Sequence, residues 1–200
     1  MIEKTVEGRR LFFLPVIKGL VSEADKVHEA FSTIKPERAM VSLSPEQLLM
    51  LGAKDRYSDY EPSMLEAAYA YFLDSFGSVE IPPPCYVRIH DLCQESDVEL
   101  LPLDMDENAF TELYCEHVGT MEMFRESRFA KKAPKKRFDL SSPEAFVKDW
   151  DAKVNSTKGF RILERTRESF MAESIRRWAK DDALVVMELE RMDGVLRQLS

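Results

Sequence analysis

Four acidic side chains stand where two apolar segments end. Asp104 and Asp106 follow one segment, and Glu188 and Glu190 lie at the end of another, near the C-terminus. If both segments are parallel strands, these carboxylates lie at the edge of a sheet where α/β proteins usually bind ligands. Carboxylate oxygens are the ligands that a hard divalent cation prefers. The same residues also suit the caps of the following helices, because acids favour the positive end of a helix dipole. We favour capping over metal binding.

Two pairs of histidine and cysteine resemble zinc ligands at first sight. His90 and Cys93 form H-x-x-C, and Cys115 and His117 form C-x-H. Neither spacing matches a zinc finger or ribbon. Cys93, His117 and also Cys85 fall on apolar helix stripes, where thiols behave as small hydrophobic side chains. We therefore expect core packing and no bound metal.

The sequence lacks the motifs of common nucleotide-binding and hydrolytic sites. It contains no Walker loop, G-x-G-x-x-G turn, G-x-S-x-G elbow or H-E-x-x-H helix. Seven glycines in 200 residues leave little material for a loop that cradles phosphates. A nucleotide-binding enzyme is therefore not expected, and no catalytic residue and no cofactor is predicted.

The composition is that of an acidic globular protein. Hydrophobic residues make up 44% of the chain and charged residues 32%, and the net charge of −8 disfavours binding to nucleic acid or to an anionic membrane. No apolar run approaches the roughly 20 residues that cross a bilayer. The charged N-terminus lacks the apolar centre of a signal peptide, and three cysteines do not make a disulfide framework. We expect a single domain over residues 1–200, located in the cytoplasm.

Short apolar runs alternate with amphipathic helical patterns along the chain. The runs at residues 11–17, 39–43, 98–103 and 183–189 are continuous, as expected of strands buried on both faces. Parallel strands need crossover connections, which the helical segments between the runs supply. The sequence therefore predicts an α/β fold. It consists of a largely parallel β-sheet covered by helices, with a helical insert in the middle of the chain and the run at 183–189 as its last element.

Polar side chains mark the starts of the predicted helices. Ser44, Pro45 and Gln47 form a capping box with proline in the first turn, and Ser22 with Asp25 suggests a second box. Further helices are predicted to begin after Ser63, Asp106 and Ser142.

A basic segment interrupts this pattern at residues 119–141, which we predict to be irregular. Between residues 125 and 137 the local charge is +6, so the remainder of the chain carries −14. A solvated loop is the simpler interpretation. The alternative is a docking strip for an acidic protein, for RNA or for the chain's own acidic surface, although the acidic remainder disfavours nucleic acid. The strip comprises Arg128, Lys131, Lys132, Lys135, Lys136 and Arg137.

Four segments in order resemble the TraB/Tiki group, part of the superfamily that includes erythromycin-esterase-like and ChaN-like proteins. Residues 11–44 resemble its opening strand, helix and strand, and residues 64–81 are similar to its alanine-rich helix. Residues 98–114 resemble the strand that ends in aspartate before another helix. The fourth segment, ERTRESFMAESI followed by ALVVMELERMDGVL, resembles the family's helix with glutamate-arginine and then methionine-alanine, and its closing strand. The resemblance implies an α/β fold and a metal-dependent hydrolase or peptidase site.

The positions where the family has its functional residues hold other side chains here. Lys18 is the nearest polar residue to the first glycine-and-histidine turn, and Ser42 replaces a glutamate. Glu188 and Arg191 replace the glycine and the histidine of the second motif, whereas Arg165 is retained. Arginine stays protonated and cannot ligate a metal or shuttle protons, and serine cannot act as the missing carboxylate. None of the three histidines lies in either motif region.

These substitutions favour a non-catalytic TraB/Tiki-like protein that acts as a binding or regulatory module with a degenerate active site. We expect a protein partner or a homo-oligomer, and the former catalytic mouth would bind a small anion or a peptide segment. The alternative is a diverged hydrolase that uses the strand-end carboxylates with a divalent metal. The candidate ligand-binding residues are Ser42, Arg165, Glu188 and Arg191.

Overall fold

A computed structural model describes residues 1–52, 61–180 and 182–200. This part of the chain contains a five-stranded sheet in the order β1-β2-β5-β3-β4. The β1–β2 pair is antiparallel, and the other three pairs are parallel. The predicted α/β class with a largely parallel, helix-covered sheet is therefore confirmed. The strands are β1 (Ile2–Val6), β2 (Arg9–Val16), β3 (Arg38–Val41), β4 (Glu99–Pro102) and β5 (Ala183–Glu188).

Helices make up most of the rest of the described chain. Side chains of Ser44, Ser63, Asp106 and Ser142 cap four of them by accepting a backbone N–H of the first turn, as predicted. No helix in the described residues is both long and apolar enough to cross a membrane. The helices are α1 (Glu23–Ile34), α2 (Pro45–Leu51), α3 (Met64–Leu73), α4 (Pro84–Ser96), α5 (Glu107–His117), α6 (Thr120–Lys132), α7 (Pro143–Val154), α8 (Lys158–Trp178) and α9 (Leu189–Gln198).

Two apolar clusters sandwich the sheet because its strands point alternate side chains to opposite faces. Leu184 and Val186 of β5 pack with α1 and α4 on one face. Val185 and Met187 pack with α8 and α9 on the other face. Every residue of β5 is buried, as expected for a strand at the centre of a sheet covered on both sides.

A third cluster lies beyond the carboxyl ends of the strands. Phe146 and Trp150 of α7 pack there against Leu73 of α3 and against Ile17 and Leu20, which follow β2. The edge of Trp150 meets the ring of Tyr69 at 5.5 Å between centroids. The helical insert predicted from the sequence thus forms a separate layer over the end of the sheet.

The basic segment is more regular than we predicted. Residues 120–132 form α6 and residues 133–135 a 3₁₀ turn, so that of this segment only residues 119 and 136–141 lie outside helices and strands. The helix begins where the carboxylate of Glu122 accepts the N–H groups of Gly119 and Gly159, at 3.1 and 2.8 Å. Its inner face buries Ala130 and packs Phe129 against the third cluster. This tertiary packing orders a segment whose composition alone resembles a loop.

Three further expectations need correction. The charged N-terminus forms the edge strand β1, and α9 follows the strand that we expected to end the chain. Ser22 precedes α1, but its side chain caps no N–H group. Instead the Glu23 carboxylate accepts the N–H of Ile17 at 3.3 Å, which ties the start of α1 to the end of β2.

Candidate ligand-binding site

A cavity of about 420 Å³ lies between the carboxyl ends of β2 and β5 and the helices that cover them. Its floor is made by the residues that follow these two parallel strands, and its walls come from α3, α5, α7 and α8. This is the edge at which open α/β sheets usually bind ligands. The residues that carry the argument below are Lys18, Tyr69, Phe110, Trp150, Phe160, Arg167, Glu188, Glu190 and Arg191.

Glu188 ends β5 at the floor of the cavity, and its side chain is almost completely buried. Its Oε1 lies 3.2 Å from the Lys18 ammonium, whereas the buried Oε2 has no hydrogen-bond partner. Burial alone would raise the pKa of Glu188, but Lys18, the Ser42 hydroxyl and Arg167 outweigh it, so the pKa is lowered. The carboxylate is therefore ionised at neutral pH, with one oxygen unpaired.

Ser42 connects β3 to this floor. Its Oγ accepts the N–H of Glu188 at 3.2 Å and lies 2.8 Å from the Tyr86 hydroxyl in the buried side of the sheet. Ser42 is buried and does not line the cavity. Its position explains how Glu188 is held in place.

Glu190, in the first turn of α9, behaves differently from Glu188. Desolvation is the main reason why the pKa of its carboxyl rises to about 7, with the neighbouring Glu188 adding to the rise and Lys18 opposing it. Desolvation would lower the pKa of Lys18, yet the charges of Glu188 and Glu190 keep it above its ordinary value. The floor thus contains one firmly charged carboxylate, one ammonium and one carboxyl that titrates near neutral pH.

Arg167 of α8 is held by carboxylates on two elements. Its guanidinium contacts Asp104 at 2.5 Å and Glu164 at 2.9 Å. Desolvation opposes the charge of Arg167, but these two acids raise its pKa. The same guanidinium lies 5.7 Å from the centre of the Phe110 ring. Arg167 therefore remains charged, and its guanidinium is paired with carboxylates of the protein itself.

Arg191 of α9 is held in the same way. It pairs with Asp151 of α7, with Glu164 at 3.0 Å and with Glu168 at 3.4 Å. Only 6% of its side chain is exposed, so little of the guanidinium is left for a ligand. Arg191 fastens α7, α8 and α9 together.

Aromatic rings form the apolar part of the walls. Tyr69, Trp150, Phe110 and Phe160 all line the cavity. The Tyr69 hydroxyl is buried without a hydrogen-bond partner. Burial is the main cause of a raised pKa for Tyr69, to which Glu190 and Glu188 add, so the phenol stays protonated. Glu188 and Tyr69, which both line the cavity, therefore each carry one buried oxygen without a hydrogen-bond partner.

The structure brings together two of the four candidate residues in the cavity itself, Glu188 and Arg191. Ser42 lies directly behind them. Arg165 lies apart from them, because its side chain is exposed on α8 and does not line the cavity. Residues four apart share a helix face, so the buried Leu163 places Arg167 inward and leaves Arg165 outward. That spacing was visible in the sequence and identifies Arg167 as the residue we missed.

Two of the acidic residues at the strand ends have separate partners. Asp106 caps α5, as the capping interpretation predicted, and Asp104 accepts the N–H of Met105 and binds Arg167. Among the described residues, no group of three or more His, Cys, Asp and Glu side chains is arranged to hold a metal ion. Cys85 and Cys93 are buried in the core, as expected.

The six residues of the basic strip are all exposed. Arg128, Lys131 and Lys132 belong to α6, and Lys135 to the short 3₁₀ turn that follows it. Lys136 lies over the Phe129 ring, at 4.9 Å from its centre. The strip is separate from the cavity residues named above.

No protein-family model matches this chain. A search among curated proteins finds no match either. The TraB/Tiki resemblance therefore stays a prediction, and the chemistry of the cavity rests on its own geometry.

Proposed function

We propose that the chain is a cytoplasmic, non-catalytic TraB/Tiki-like binding module whose cavity holds a small ligand. The observation that carries this proposal is the unpaired Oε2 of Glu188, which is buried at the floor of a cavity of about 420 Å³. Buried polar atoms nearly always have a partner, and an unsatisfied one costs about 1–3 kcal/mol. A bound ligand that donates a hydrogen bond to this oxygen would remove that cost.

The side chains around the cavity support binding over catalysis. Arg191, at the position of a family histidine, is held by three carboxylates and cannot exchange a proton near neutral pH. Ser42, at the position of a family glutamate, is committed to the β5 backbone and to Tyr86. Neither residue supplies a base or a nucleophile that faces the cavity.

The rival proposal, a hydrolase with a divalent metal, has less support. It requires Asp104, Asp106, Glu188 and Glu190 to converge within one coordination shell. Three of these carboxylates are engaged separately, with Arg167, with the backbone of α5 and with Lys18. We therefore place the binding proposal first.

Native mass spectrometry of the purified protein tests the proposal. We expect a non-covalent mass in addition to the chain, which Glu188→Gln removes and the matched surface change Glu112→Gln retains. Metal-dependent hydrolysis that Glu188→Ala abolishes would defeat the proposal, and so would a purified protein that carries no ligand and binds none.

The basic strip supports a second function, self-association. On α6, exposed Met121 and Phe124 share a helix face with Arg128 and Lys131, so apolar and basic side chains form one surface. Charge complementarity points to a second copy of this chain, because the residues outside the basic segment carry −14. The contact would be a homo-oligomer interface stabilised in part by electrostatic attraction.

Sedimentation velocity at low and high salt tests this interface. We expect an oligomer at low salt that dissociates as salt screens the charges. The variant Lys131→Glu/Lys132→Glu should stay monomeric, whereas the control Arg177→Glu/Lys180→Glu, which reverses two exposed charges at the end of α8, should still associate. A monomer under all conditions would reject self-association, and an equal effect of both variants would reject the strip as the contact.

A further inference from the structure

We propose that the ligand of the cavity is an organic cation, a protonated primary amine on an aromatic or apolar stem. This inference rests on the proposed binding function and names the class of ligand. It differs from the sequence-based expectation of a small anion or a peptide segment.

The charge of the side chains that line the cavity favours a cation. Among the described lining residues seven are acidic and three are basic. Each basic side chain already contacts at least one carboxylate, namely Lys18 with Glu188, Arg167 with Glu164 and Arg191 with Asp151. An anion would have to break these pairs or add to the negative excess. A cation would reduce that excess.

The unpaired buried oxygens favour a ligand that donates hydrogen bonds. Glu188 Oε2 and the Tyr69 hydroxyl both lack hydrogen-bond partners, and both residues line the cavity. An ionised carboxylate only accepts hydrogen bonds, and a phenol oxygen also accepts them. An ammonium group carries three N–H donors and no acceptor, so it complements Glu188 directly and has donors left for Tyr69 or Glu190.

The aromatic side chains of the walls favour a cation on an apolar stem. Trp150, Phe110 and Phe160 line the cavity with Tyr69, and Glu188 lines the floor of the same cavity. Rings stabilise a nearby cation through their negative faces, and they bury an apolar stem. A volume of about 420 Å³ lies within the range of small-molecule sites. A compact arylalkyl amine satisfies the charge, the oxygens and the apolar surface together.

Isothermal titration calorimetry of the whole protein with three probes of similar shape tests the inference. Phenethylamine is the cation, 2-phenylethanol the neutral analogue and 3-phenylpropionate the anion. We expect the amine to bind at least about tenfold more tightly than the alcohol, since a hydrogen bond to a charged group contributes that much. The anion should bind weakest.

Three variants place the binding in the cavity. Glu188→Gln should weaken the amine by about tenfold or more, and Tyr69→Phe, which removes only the hydroxyl, by severalfold. Glu112→Gln removes the same charge from the exposed face of α5 and should change nothing. Because Tyr69→Phe preserves the ring, it keeps the test decisive if Glu188→Gln does not fold.

Several outcomes overturn the inference. Tighter binding of the alcohol or the anion than of the amine would reject the proposal that the ligand is a cation. It would not contradict the proposal that the protein is a binding module. Amine binding that neither variant weakens would put the ligand outside the cavity. If none of the three probes binds, the cation is rejected, and native mass spectrometry decides separately whether the purified protein carries another ligand.

Discussion

Replacing Glu190 by glutamine should stabilise the protein, and more so at high pH. Burial raises the pKa of this carboxyl from its ordinary value of 4.5 to about 7. Below the lower value the group is protonated in both the folded and the unfolded state, so it does not affect the free energy of unfolding. Between pH 4.5 and 7 the carboxyl ionises in the unfolded state but keeps its proton in the folded state, so stability falls as the pH rises, and the loss is complete once the pH has passed 7.

The size of the effect follows from the shift in pKa. Each pKa unit corresponds to about 1.4 kcal/mol, so ionised Glu190 destabilises the folded state by about 3 kcal/mol above pH 7. At pH 5 the same relation leaves about 1 kcal/mol. Glutamine keeps the shape of the side chain and carries no charge at either pH. The charged groups that act on Glu190 are Lys18, Glu188 and Arg191, and all remain in the variant.

Urea unfolding followed by circular dichroism measures the free energy of unfolding at pH 5 and at pH 8. We expect Glu190→Gln to raise the free energy of unfolding at both values of pH, with the larger gain at pH 8. Glu112→Gln, on the exposed face of α5, serves as the control and should change stability by less than about 0.5 kcal/mol at either pH. A Glu190→Gln variant that is no more stable than the original at pH 8, or whose gain is the same at both values of pH, would refute the reasoning.

Arg167→Ala should lower the free energy of unfolding by about 3–5 kcal/mol in chemical denaturation, because it leaves the buried carboxylate of Asp104 without its cationic partner. Arg165→Ala, exposed on the same helix, should cost less than about 0.5 kcal/mol. Similar losses in both variants would contradict the assignment of the inner face of α8. Gly159→Ala should destabilise by about 2 kcal/mol or more, since its Cβ would lie 2.2 Å from a backbone carbonyl oxygen at the end of α5. Gly119→Ala meets nothing within 4 Å and should cost less than about 1 kcal/mol, so equal melting temperatures of the two glycine variants would count against this contact. Phenethylamine affinity in calorimetry should rise about tenfold between pH 6 and pH 8, because the ionised fraction of Glu190 rises from about a tenth to about nine tenths. An affinity that does not change with pH would show that Glu190 does not contact the ligand.

The parallel part of the sheet could be predicted because its strands are continuous apolar runs. The strand order could not, since residues 11–43 suggest two neighbouring strands, and β5 lies between them. The edge strand β1 escaped prediction because only Ile2 and Val6 of its five residues are apolar, and only the Glu7-Gly8 turn, with φ values of 50° and 75°, marks the hairpin. An edge strand is recognised by its partner rather than by its own hydrophobicity.

The cavity was only partly predictable for a related reason. The strand-end positions of Glu188 and Glu190 follow from local pattern, and the structure confirms that both face one cavity. Whether Arg191 is free for a ligand depends on which acids of α7 and α8 it contacts. These contacts join residues far apart in the chain, so no local rule indicates them. The arginines in the sequence suggested an anion, whereas the carboxylates that pair with Arg191 support the proposed cation.

The central position of β5 has a consequence for how the chain reaches its folded state. Ser42 and Glu188 are bonded across the β3–β5 junction although 146 residues separate them. Until β5 is synthesised, β2 and β3 have no common neighbour, and both present open edges to other chains. Contacts of such long range slow the search for the native topology. A nascent chain that lacks β5 is thus two unjoined halves, and the interval before β5 emerges is when the protein is most exposed to aggregation.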